Sequence, residues 1–313
     1  MFSKSNIIMT PDHRYYDEDI ELIPSTSVIE AYKSDKDFVQ MAYYKAYWQI
    51  FRELKLTKGS AVPAAMVAQR QKEILQQWDD KANKGAGHGD KIHNILWRFN
   101  TGQGISTEEG HVVSKVNSTG LFKYSEGSFH EQIIGSKTIG VGGMVDRFDY
   151  RSKKDMLIDI TDYKTNLTGI SMDSIHINER GKVNKMNLYF KNPIGFLEEC
   201  DYTAYCIQLG IYAYILEVIY GFKIGRLTVL YITIPQDLAE LDAYLMTEVQ
   251  VIPVPYMCPV IKMILEDNTW RMAYEGIRIK KQQRKENSGL KSLPVIKANE
   301  VPEAEVINNE EIW

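Results

Sequence analysis

The 313-residue chain contains only three cysteines, Cys200, Cys206 and Cys258, and no CxxC pair. An odd number of cysteines without paired spacing does not form a disulfide framework. We therefore expect reduced thiols, as in a cytoplasmic protein.

Long apolar segments are also lacking. No run reaches the roughly 20 residues that a membrane-spanning helix needs, and the N-terminus has no apolar signal-peptide core. These absences lead us to expect a cytoplasmic protein without a membrane partner. The shares of hydrophobic residues (44%) and charged residues (25%) are those of an ordinary globular protein.

Positive charge is not in excess either. Lys and Arg total 37 against 41 Asp and Glu, which gives a formal net charge of −4. The total charge therefore does not indicate a nucleic-acid-binding protein. It does not exclude one, because DNA contacts require only a local basic surface.

What the sequence does contain is a pair of strand-like segments in its middle. Residues 140–149 and 157–165 are predicted strands, and the polar stretch 151–155 predicts a tight turn between them. Side chains alternate faces along a strand, so Asp162 and Lys164 share one face of the second strand.

Asp146, Asp162 and Lys164 are the candidate catalytic residues. Asp146 follows two glycines, which allow a ligand or another backbone to approach closely. Burying a carboxylate and an ammonium in an apolar strand is costly unless they serve a purpose. The two carboxylates offer oxygen ligands to a hard divalent cation, with Lys164 beside them. The alternative is a buried ion-pair cluster in an unrelated α/β protein.

The spacing Gly-x-x-Asp (Gly143 to Asp146) and then Asp-x-Lys (Asp162 to Lys164) resembles the PD-(D/E)XK nuclease superfamily. It is most similar to the RecB-like exonuclease branch, in which glycine stands where other branches have proline. The resemblance implies an α/β fold with a restriction-endonuclease-like core, a central mixed β-sheet flanked by helices, and an N-terminal helical region. It also implies one or two Mg²⁺ or Mn²⁺ ions, with the Tyr163 carbonyl as a further ligand.

Two more motifs precede this pair in the order of the family. Gly-x-x-x-His (Gly89 to His93) resembles the upstream motif whose histidine faces the metal, and His88 is a weaker competitor. Without the resemblance, His93 would be a boundary residue of a buried helical stripe. Glu131, on a predicted strand at 128–135, occupies a place where the family often has an acidic residue. Its alternative is a solvent-facing carboxylate on an edge strand.

A further motif follows the pair. Residues 193–220 predict a long helix, on which Gln208 and Tyr212 are four positions apart and share a face. Gln-x-x-x-Tyr in this place resembles the last RecB-like motif, whose residues face the active site, so both are catalytic candidates. The alternative is a core helix whose glutamine bonds to a neighbouring strand.

The N-terminal region contains a predicted hairpin at 13–24 and a Ser-x-Ser helix start. Ser27 with Glu30 forms a capping box that predicts a helix beginning at Ser27. The RecB-like branch carries a similar helix start, and in its iron–sulfur members a cysteine follows soon after. Residues 32–36 contain no cysteine and the late cysteine cluster is missing, so we expect no iron–sulfur cluster.

Apolar spacing predicts the remaining elements. We expect a helix at 37–55, a second at 63–82 ended by a glycine loop at 83–87, strands at 226–234 and 245–253, and a helix at 256–283. The first of these carries an aromatic stripe that we expect to pack in the core, formed by Tyr44, Tyr47, Trp48, Phe51 and Leu54.

Candidate DNA contacts are hydroxyls at a helix start and basic side chains, because both suit phosphates. They are Ser25, Ser27, Lys182, Lys185, Arg278, Lys280 and Lys281. The two lysines at 182 and 185 belong to a polar excursion, residues 166–192, that is a candidate substrate-covering flap. A plain surface loop is the alternative. The three basic residues from 278 to 281 lie at a helix end, where a solvated face is the alternative.

These observations predict a metal-dependent DNA exonuclease of phage or bacterial DNA recombination, repair or degradation, in the bacterial or phage-infected host cytoplasm. The expected partner is DNA, as single strands or duplex ends. We expect a single nuclease domain over 1–285, with the hairpin and helices in 1–84 and the catalytic core in 85–285. The acidic tail 286–313 is expected to be flexible and is a candidate peptide for a recombination or replication protein. The alternative is a non-catalytic DNA-binding recombination partner on the same fold.

Overall fold

The computed structural model describes residues 7–10, 14–57, 60–165, 169–177, 183–235 and 240–289. The chain divides into two compact units, each assembled from segments that are distant in the sequence. Unit 1 comprises Met1–Lys33, Gly87–Ile175 and Lys185–Ile277, and unit 2 comprises Ser34–Ala86, His176–Asn184 and Arg278–Trp313. The single domain expected over 1–285 stays a prediction.

Ten strands are present in the described part of the chain. They are β1 (Ile7–Met9), β2 (Tyr15–Asp17), β3 (Ile20–Pro24), β4 (Ser128–Ser136), β5 (Val141–Ser152), β6 (Leu157–Lys164), β7 (Ile175–Ile177), β8 (Val183–Lys185), β9 (Lys223–Thr233) and β10 (Glu248–Val254). β7 and β8 pair with each other, and the other eight form one sheet in the order β1-β2-β3-β5-β6-β9-β10, with β4 also paired to β5. The predicted hairpin at 13–24, the central strand pair and the two later strands are confirmed.

The large sheet is mixed. β3 pairs in parallel with β5, and β6 pairs in parallel with β9, whereas the other pairs are antiparallel. The described residues also form eight helices: α1 (Ser25–Tyr32), α2 (Phe38–Glu53), α3 (Ala64–Asn100), α4 (Thr107–Ser118), α5 (Asp201–Val218), α6 (Glu240–Leu245), α7 (Cys258–Glu266) and α8 (Thr269–Gly289). The expected α/β architecture, a central mixed sheet flanked by helices, is therefore confirmed.

Both faces of the sheet in unit 1 are covered. On one face, Phe148 and Ile160 pack in a core that includes Ile211 of α5. On the other face, Leu230 packs in a second core with Ile95 of α3 and residues of α4 and α6. Each such side chain contributes about 1.5–3 kcal/mol when fully buried. This burial fixes the register of the central strands, because a slip by one residue would exchange the two faces.

Helix α1 begins two residues earlier than predicted. It follows β3 directly, its N-cap position is Pro24, and no side chain caps it. The predicted capping box of Ser27 and Glu30 is therefore wrong, and Ser27 is a buried residue of the first turn. The reason is that β3 extends to Pro24, which pairs with Gly142, so the strand fixes where the helix starts.

The glycine loop predicted at 83–87 is wrong, because α3 is continuous through it. Each helical glycine costs about 1 kcal/mol relative to alanine. Apolar anchors lie on both sides of the glycines: Val67 and Ile74 are buried in the core of unit 2, and Ile92 and Ile95 are buried in unit 1. Their packing outweighs the low helix propensity of the short glycine segment.

The aromatic stripe of α2 does not form the core of unit 2. Tyr44, Trp48 and Leu54 are 38%, 45% and 42% exposed, so the prediction is wrong for them. The buried face of α2 consists instead of Ala42, Ala46 and Ile50, which pack in a cluster with buried residues of α3. Small side chains on this face allow close helix packing, and of the stripe Tyr47 packs against this cluster, partly buried.

The helix predicted at 256–283 is two helices, α7 and α8. Asp267 separates them, because its carboxylate accepts hydrogen bonds from the Thr269 backbone N–H at 3.2 Å and from the Tyr32 hydroxyl at 2.9 Å. Residues 286–289, expected in the tail, belong to α8. The rest of the predicted tail, 290–313, lies outside the described residues.

Candidate metal centre

Strands β5 and β6 bring two carboxylates together. Arg147 pairs with Thr161, so Asp146 and Asp162 come next to each other at the following position, on the opposite face. Both are buried, with 6% and 3% exposure. The Tyr163 backbone N–H donates to Oδ2 of Asp146 at 2.6 Å, which fixes that carboxylate. Buried carboxylates this close repel each other unless a cation lies between or beside them.

Lys164 is one such cation. Its ammonium lies 2.6 Å from Oδ2 of Asp162 and 4.9 Å from the ring centroid of Tyr205 on α5. Burial lowers the pKa of Lys164, but Asp162 and Asp146 outweigh it and raise the pKa above its usual value, so the side chain stays charged at neutral pH. The ammonium thus neutralises Oδ2 of Asp162 directly, and a buried ion pair forms beside Asp146.

Glu131 approaches from β4. His130 pairs with Arg147 and Gln132 with Val145, which leaves Glu131 opposite Asp146. Its backbone φ is +49°, in the left-handed region, which costs about 1–2 kcal/mol for a residue other than glycine. Strain of this kind persists where the surrounding structure imposes it, and it is concentrated at functional sites.

His93 reaches the carboxylates from α3. Its Nδ1 lies 3.5 Å from Oδ1 of Asp146 and 3.8 Å from Oε1 of Glu131, and Nε2 lies 3.2 Å from the Tyr163 carbonyl oxygen. One turn earlier, a Cβ added at Gly89 would lie 3.1 Å from Oγ1 of Thr165. The glycine thus lets α3 approach the end of β6 closely enough for His93 to enter the site.

The donor atoms fit a divalent metal. Those of His93, Glu131 and Asp146 all lie within 4.8 Å of one another. Two ligands on an ion at about 2.1 Å can be at most about 4.2 Å apart, so both separations from Nδ1 of His93 are compatible with one ion. A set of carboxylates with one imidazole suits Mn²⁺ as well as Mg²⁺.

The same charges act on the metal-free site. Burial lowers the pKa of His93, but Asp146 and Glu131 outweigh it and raise the pKa to about 9. Burial raises the pKa of Asp146 to about 7, and Asp162 adds to this rise while His93 and Lys164 oppose it. A protonated His93 therefore partly neutralises the carboxylates, and metal binding would displace its proton.

Gln208 and Tyr212 adjoin the site on α5. Nε2 of Gln208 donates to the Tyr212 hydroxyl at 3.1 Å, and Oγ of Ser25 donates to the same hydroxyl at 3.0 Å. A Cβ added at Gly143 would lie 2.6 Å from Cε1 of Tyr212. The glycine of the Gly-x-x-Asp motif therefore makes room for the Tyr212 ring, and Ser25 is a buried partner of that ring.

The other predicted DNA contacts are distributed more widely. Lys185 is exposed and lies 3.9 Å from Asp173 and 3.8 Å from Glu198. Arg278 and Lys280 are exposed on α8, and Lys281 belongs to the same helix. Lys182 lies outside the described residues, as does part of the predicted flap. The roles of these residues stay predictions.

Sequence reasoning missed the contact of Tyr205 with Lys164, the left-handed backbone at Glu131 and the bond from Ser25 to Tyr212. The first had a usable signal, because Tyr205, Gln208 and Tyr212 recur at helical spacing on one face. The second has none in the sequence, since left-handed glutamate is uncommon and depends on the surrounding structure.

No family model and no curated protein matches the chain. A crystal structure of a protein named "putative exonuclease", from Eubacterium rectale, is similar to it over 78% of this chain and 70% of its own. The sequence identity is 12% and the TM-score is 0.27, a level of similarity that does not decide fold or function. None of the helices in the described residues is long and apolar enough to cross a membrane.

Proposed function

We propose that the chain is a metal-dependent deoxyribonuclease of the PD-(D/E)XK superfamily, in its RecB-like branch, that hydrolyses phosphodiester bonds as an exonuclease. The observation that carries the proposal is the convergence of His93, Glu131 and Asp146 beside the Asp162–Lys164 ion pair. These residues come from one helix and three strands that are separated in the sequence. The backbone of Glu131 is strained, and Gly89 lets α3 approach the end of β6 closely. An incidental surface cluster would need neither feature.

His93, Glu131, Asp146 and Asp162 would hold one or two Mg²⁺ or Mn²⁺ ions, with the Tyr163 carbonyl as a further oxygen. A bound ion activates water and neutralises charge on the phosphoryl oxygens. The donor set of His93, Glu131 and Asp146 supports this assignment, because carboxylate oxygens with one imidazole suit hard and borderline divalent ions.

Lys164 would act through its charge. Its raised pKa keeps the ammonium protonated at neutral pH, so the group suits stabilising negative charge on the phosphoryl group and orienting the attacking water. Asp162 and the Tyr205 ring hold it in place. Gln208, hydrogen-bonded to Tyr212, lies on the same helix face as Tyr205 and would position a water or a phosphate.

The substrate in this proposal is DNA, and the process is phage or bacterial recombination, repair or degradation. The test uses 5′- and 3′-labelled single- and double-stranded DNA with Mg²⁺, with Mn²⁺ or with EDTA. We expect metal-dependent degradation by the wild-type protein. Asp162→Ala and Lys164→Ala should each lower the rate by about 100-fold or more, because each removes a group that contacts the reacting phosphate or its metal.

Matched controls remove the same charges elsewhere. Asp242→Ala and Lys262→Ala alter exposed residues of α6 and α7 and should degrade DNA at the wild-type rate. Circular dichroism would verify that all four variants are folded. Undiminished cleavage by a variant at 162 or 164 would refute the assignment. DNA binding without any metal-dependent cleavage by the wild-type protein would favour the non-catalytic recombination partner.

A further inference from the structure

A cavity with aromatic and charged lining residues lies in unit 1, on the face of the sheet opposite Asp146 and Asp162. Its volume is about 390 Å³, and its lining includes Asp149, Asp159, Thr161 and Arg226. Strand alternation places Asp149 and Thr161 on the face away from the candidate metal ligands. The cavity is therefore separate from the candidate metal centre and takes no part in the proposed hydrolysis.

One buried carboxylate holds two guanidinium groups at this cavity. Oδ1 and Oδ2 of Asp159 accept from Nη2 of Arg151 at 2.6 and 2.8 Å, and Oδ2 accepts from Nε of Arg226 at 2.9 Å. Two cations on one carboxylate leave one positive charge unbalanced. In the described part of the chain, Nη1 of each arginine makes no hydrogen bond, and the two side chains are 39% and 52% exposed. Both guanidinium groups therefore have free donors for an anion.

The local backbone is shaped to hold this arrangement. The pairing of β6 with β9 is irregular between Ile158 and Ile160, on either side of Asp159. A Cβ added at Gly225 would collide with Oδ1 of Asp159. The glycine lets this oxygen accept the Arg226 backbone N–H at 2.7 Å. The carboxylate is thus fixed by the backbone as well as by the arginines, so the two guanidinium groups are preorganised.

The rest of the cavity wall supplies an aromatic surface and no further net negative charge. Arg147 neutralises Asp149 through two hydrogen bonds of 2.8 Å, and its Cζ lies 3.5 Å from the centroid of the Phe122 ring. Tyr124 lines the cavity and is 75% exposed, with the ammonium of Lys123 at 5.4 Å from its ring centroid. An exposed aromatic ring beside paired guanidinium groups suits a planar base attached to a phosphate.

We propose that this cavity binds a nucleoside phosphate, with the phosphate on Arg151 and Arg226 and the base against Tyr124. Its volume falls in the range of small-ligand sites. Guanidinium donors suit phosphate oxygens, and Nη1 of each arginine remains available while the other nitrogens contact Asp159. The same chemistry is presented by a free nucleotide and by the terminal nucleotide of a DNA strand. The proposal does not depend on the proposed nuclease activity, because no metal takes part in this binding.

The test measures binding by isothermal titration in EDTA, with the full chain and four probes. The probes are dAMP, deoxyadenosine, inorganic phosphate and a 5′-phosphorylated oligothymidylate. We expect one dAMP or one oligonucleotide per chain, and weaker binding of deoxyadenosine and phosphate because each lacks half of the contacts. Binding of dAMP as tight as that of the oligonucleotide would identify a free nucleotide as the ligand, whereas tight binding of the oligonucleotide alone would identify a strand.

Two variants probe the two halves of the site. Arg226→Gln should weaken binding about tenfold, since it removes a charge-assisted contact. Asp159 would still keep Arg151 and the backbone N–H at 226, so the fold is expected to persist. Tyr124→Ala alters an exposed ring and should weaken binding of dAMP without changing that of phosphate. Arg52→Gln, on α2, removes the same charge elsewhere and should bind like the wild type.

Three results would overturn the proposal. The first is no binding of either nucleotide probe, and the second is equal binding by Arg226→Gln and the wild type in protein with a native melting curve. The third is binding of inorganic phosphate as tight as that of dAMP, because the cavity would then recognise charge alone.

Discussion

In the metal-free protein, ionisation of Asp146 is unfavourable, because burial and the neighbouring Asp162 raise its pKa to about 7 from the usual 3.8. A carboxyl group whose pKa is raised on folding contributes stability that is fully present below the unfolded pKa. That contribution is lost as the pH rises through the folded pKa. The loss due to Asp146 should therefore occur between about pH 4 and pH 7.

Asp146→Asn should stabilise the metal-free protein at pH 8. The amide keeps an oxygen for the Tyr163 N–H but carries no charge, so the free energy of unfolding in EDTA should rise by on the order of 1–3 kcal/mol. At pH 4 the two proteins should differ much less. Urea unfolding at both pH values measures the difference, with Asp242→Asn as an exposed control. A variant less stable than the wild type at pH 8 would contradict the direction of the pKa shift.

At the residue scale, strand alternation was enough to place Asp162 and Lys164 on one face, because the period of two is a local property. The proximity of Asp146 to Asp162 followed from a hairpin with a short turn, which is also nearly local. The left-handed Glu131 and the ring of Tyr205 over Lys164 depend on strand register and on helix placement. Those arise only when the whole of unit 1 is packed.

Among the secondary-structure elements, the packing of α5 on β5 explains a glycine of the motif. Gly143→Ala would place a Cβ 2.6 Å from the Tyr212 ring, which two hydrogen bonds hold in position. We expect a loss of about 1–3 kcal/mol in the free energy of unfolding. Because the ring must move, the contact of Gln208 with Tyr212 should also be disturbed and any metal-dependent activity should fall.

A matched glycine tests whether this loss is steric. Gly110 lies within α4, and nothing lies within 4 Å of a Cβ added there. Gly110→Ala should therefore stabilise the protein by about 0.5–1 kcal/mol through helix propensity. Thermal melting of both variants checks the pair. If Gly143→Ala melted at or above the wild-type temperature, the steric account of the motif glycine would fail.

The elements themselves were predictable where periodicity was strong, as for the central strands and most of α5. The predicted start of α5 at residue 193 was wrong, because residues 193–197 form turns and bends and the helix begins at Asp201. Predictions failed where two physical effects competed. In α3, anchors on both sides outweighed two glycines that suggested a loop at 83–87. In α2, Ala42, Ala46 and Ile50 have the same spacing as the aromatic stripe, so spacing alone could not decide which face is buried. Packing against α3 determines which face of α2 is buried, and that face can be predicted only when the partner helix is known.

At the scale of the whole molecule, the two units could not be predicted from composition. Each is discontinuous, and α3 passes from unit 2 into unit 1 at residues 86 and 87, within the glycine segment but without a break in the helix. The segments of unit 1 that carry His93, Glu131 and Asp146 are brought together only by folding. The candidate metal centre is therefore a property of the folded unit, and metal binding there should be linked to its global stability.

Mn²⁺ should raise the melting temperature of the wild-type protein, because an ion that binds only the folded state stabilises it by mass action. At 100 times the dissociation constant the gain is about 2.7 kcal/mol, or about 5 °C for a chain of this size. His93 has a pKa of about 9 and Asp146 one of about 7 in the metal-free site. Both must lose protons to bind the ion, so the increase should be larger at pH 8 than at pH 6.

The Mn²⁺-induced increase in melting temperature should thus grow with pH. The stability of the metal-free protein should instead fall with pH, as His93 and Asp146 deprotonate. Differential scanning calorimetry with and without Mn²⁺ at the two pH values separates the effects. Glu131→Gln and Asp146→Asn should show little or no increase with Mn²⁺, whereas Glu266→Gln, on the exposed side of α7, should match the wild type. An equal increase in all variants would mean that Mn²⁺ acts elsewhere. An increase that is larger at pH 6 would show that metal binding displaces no proton from His93 or Asp146.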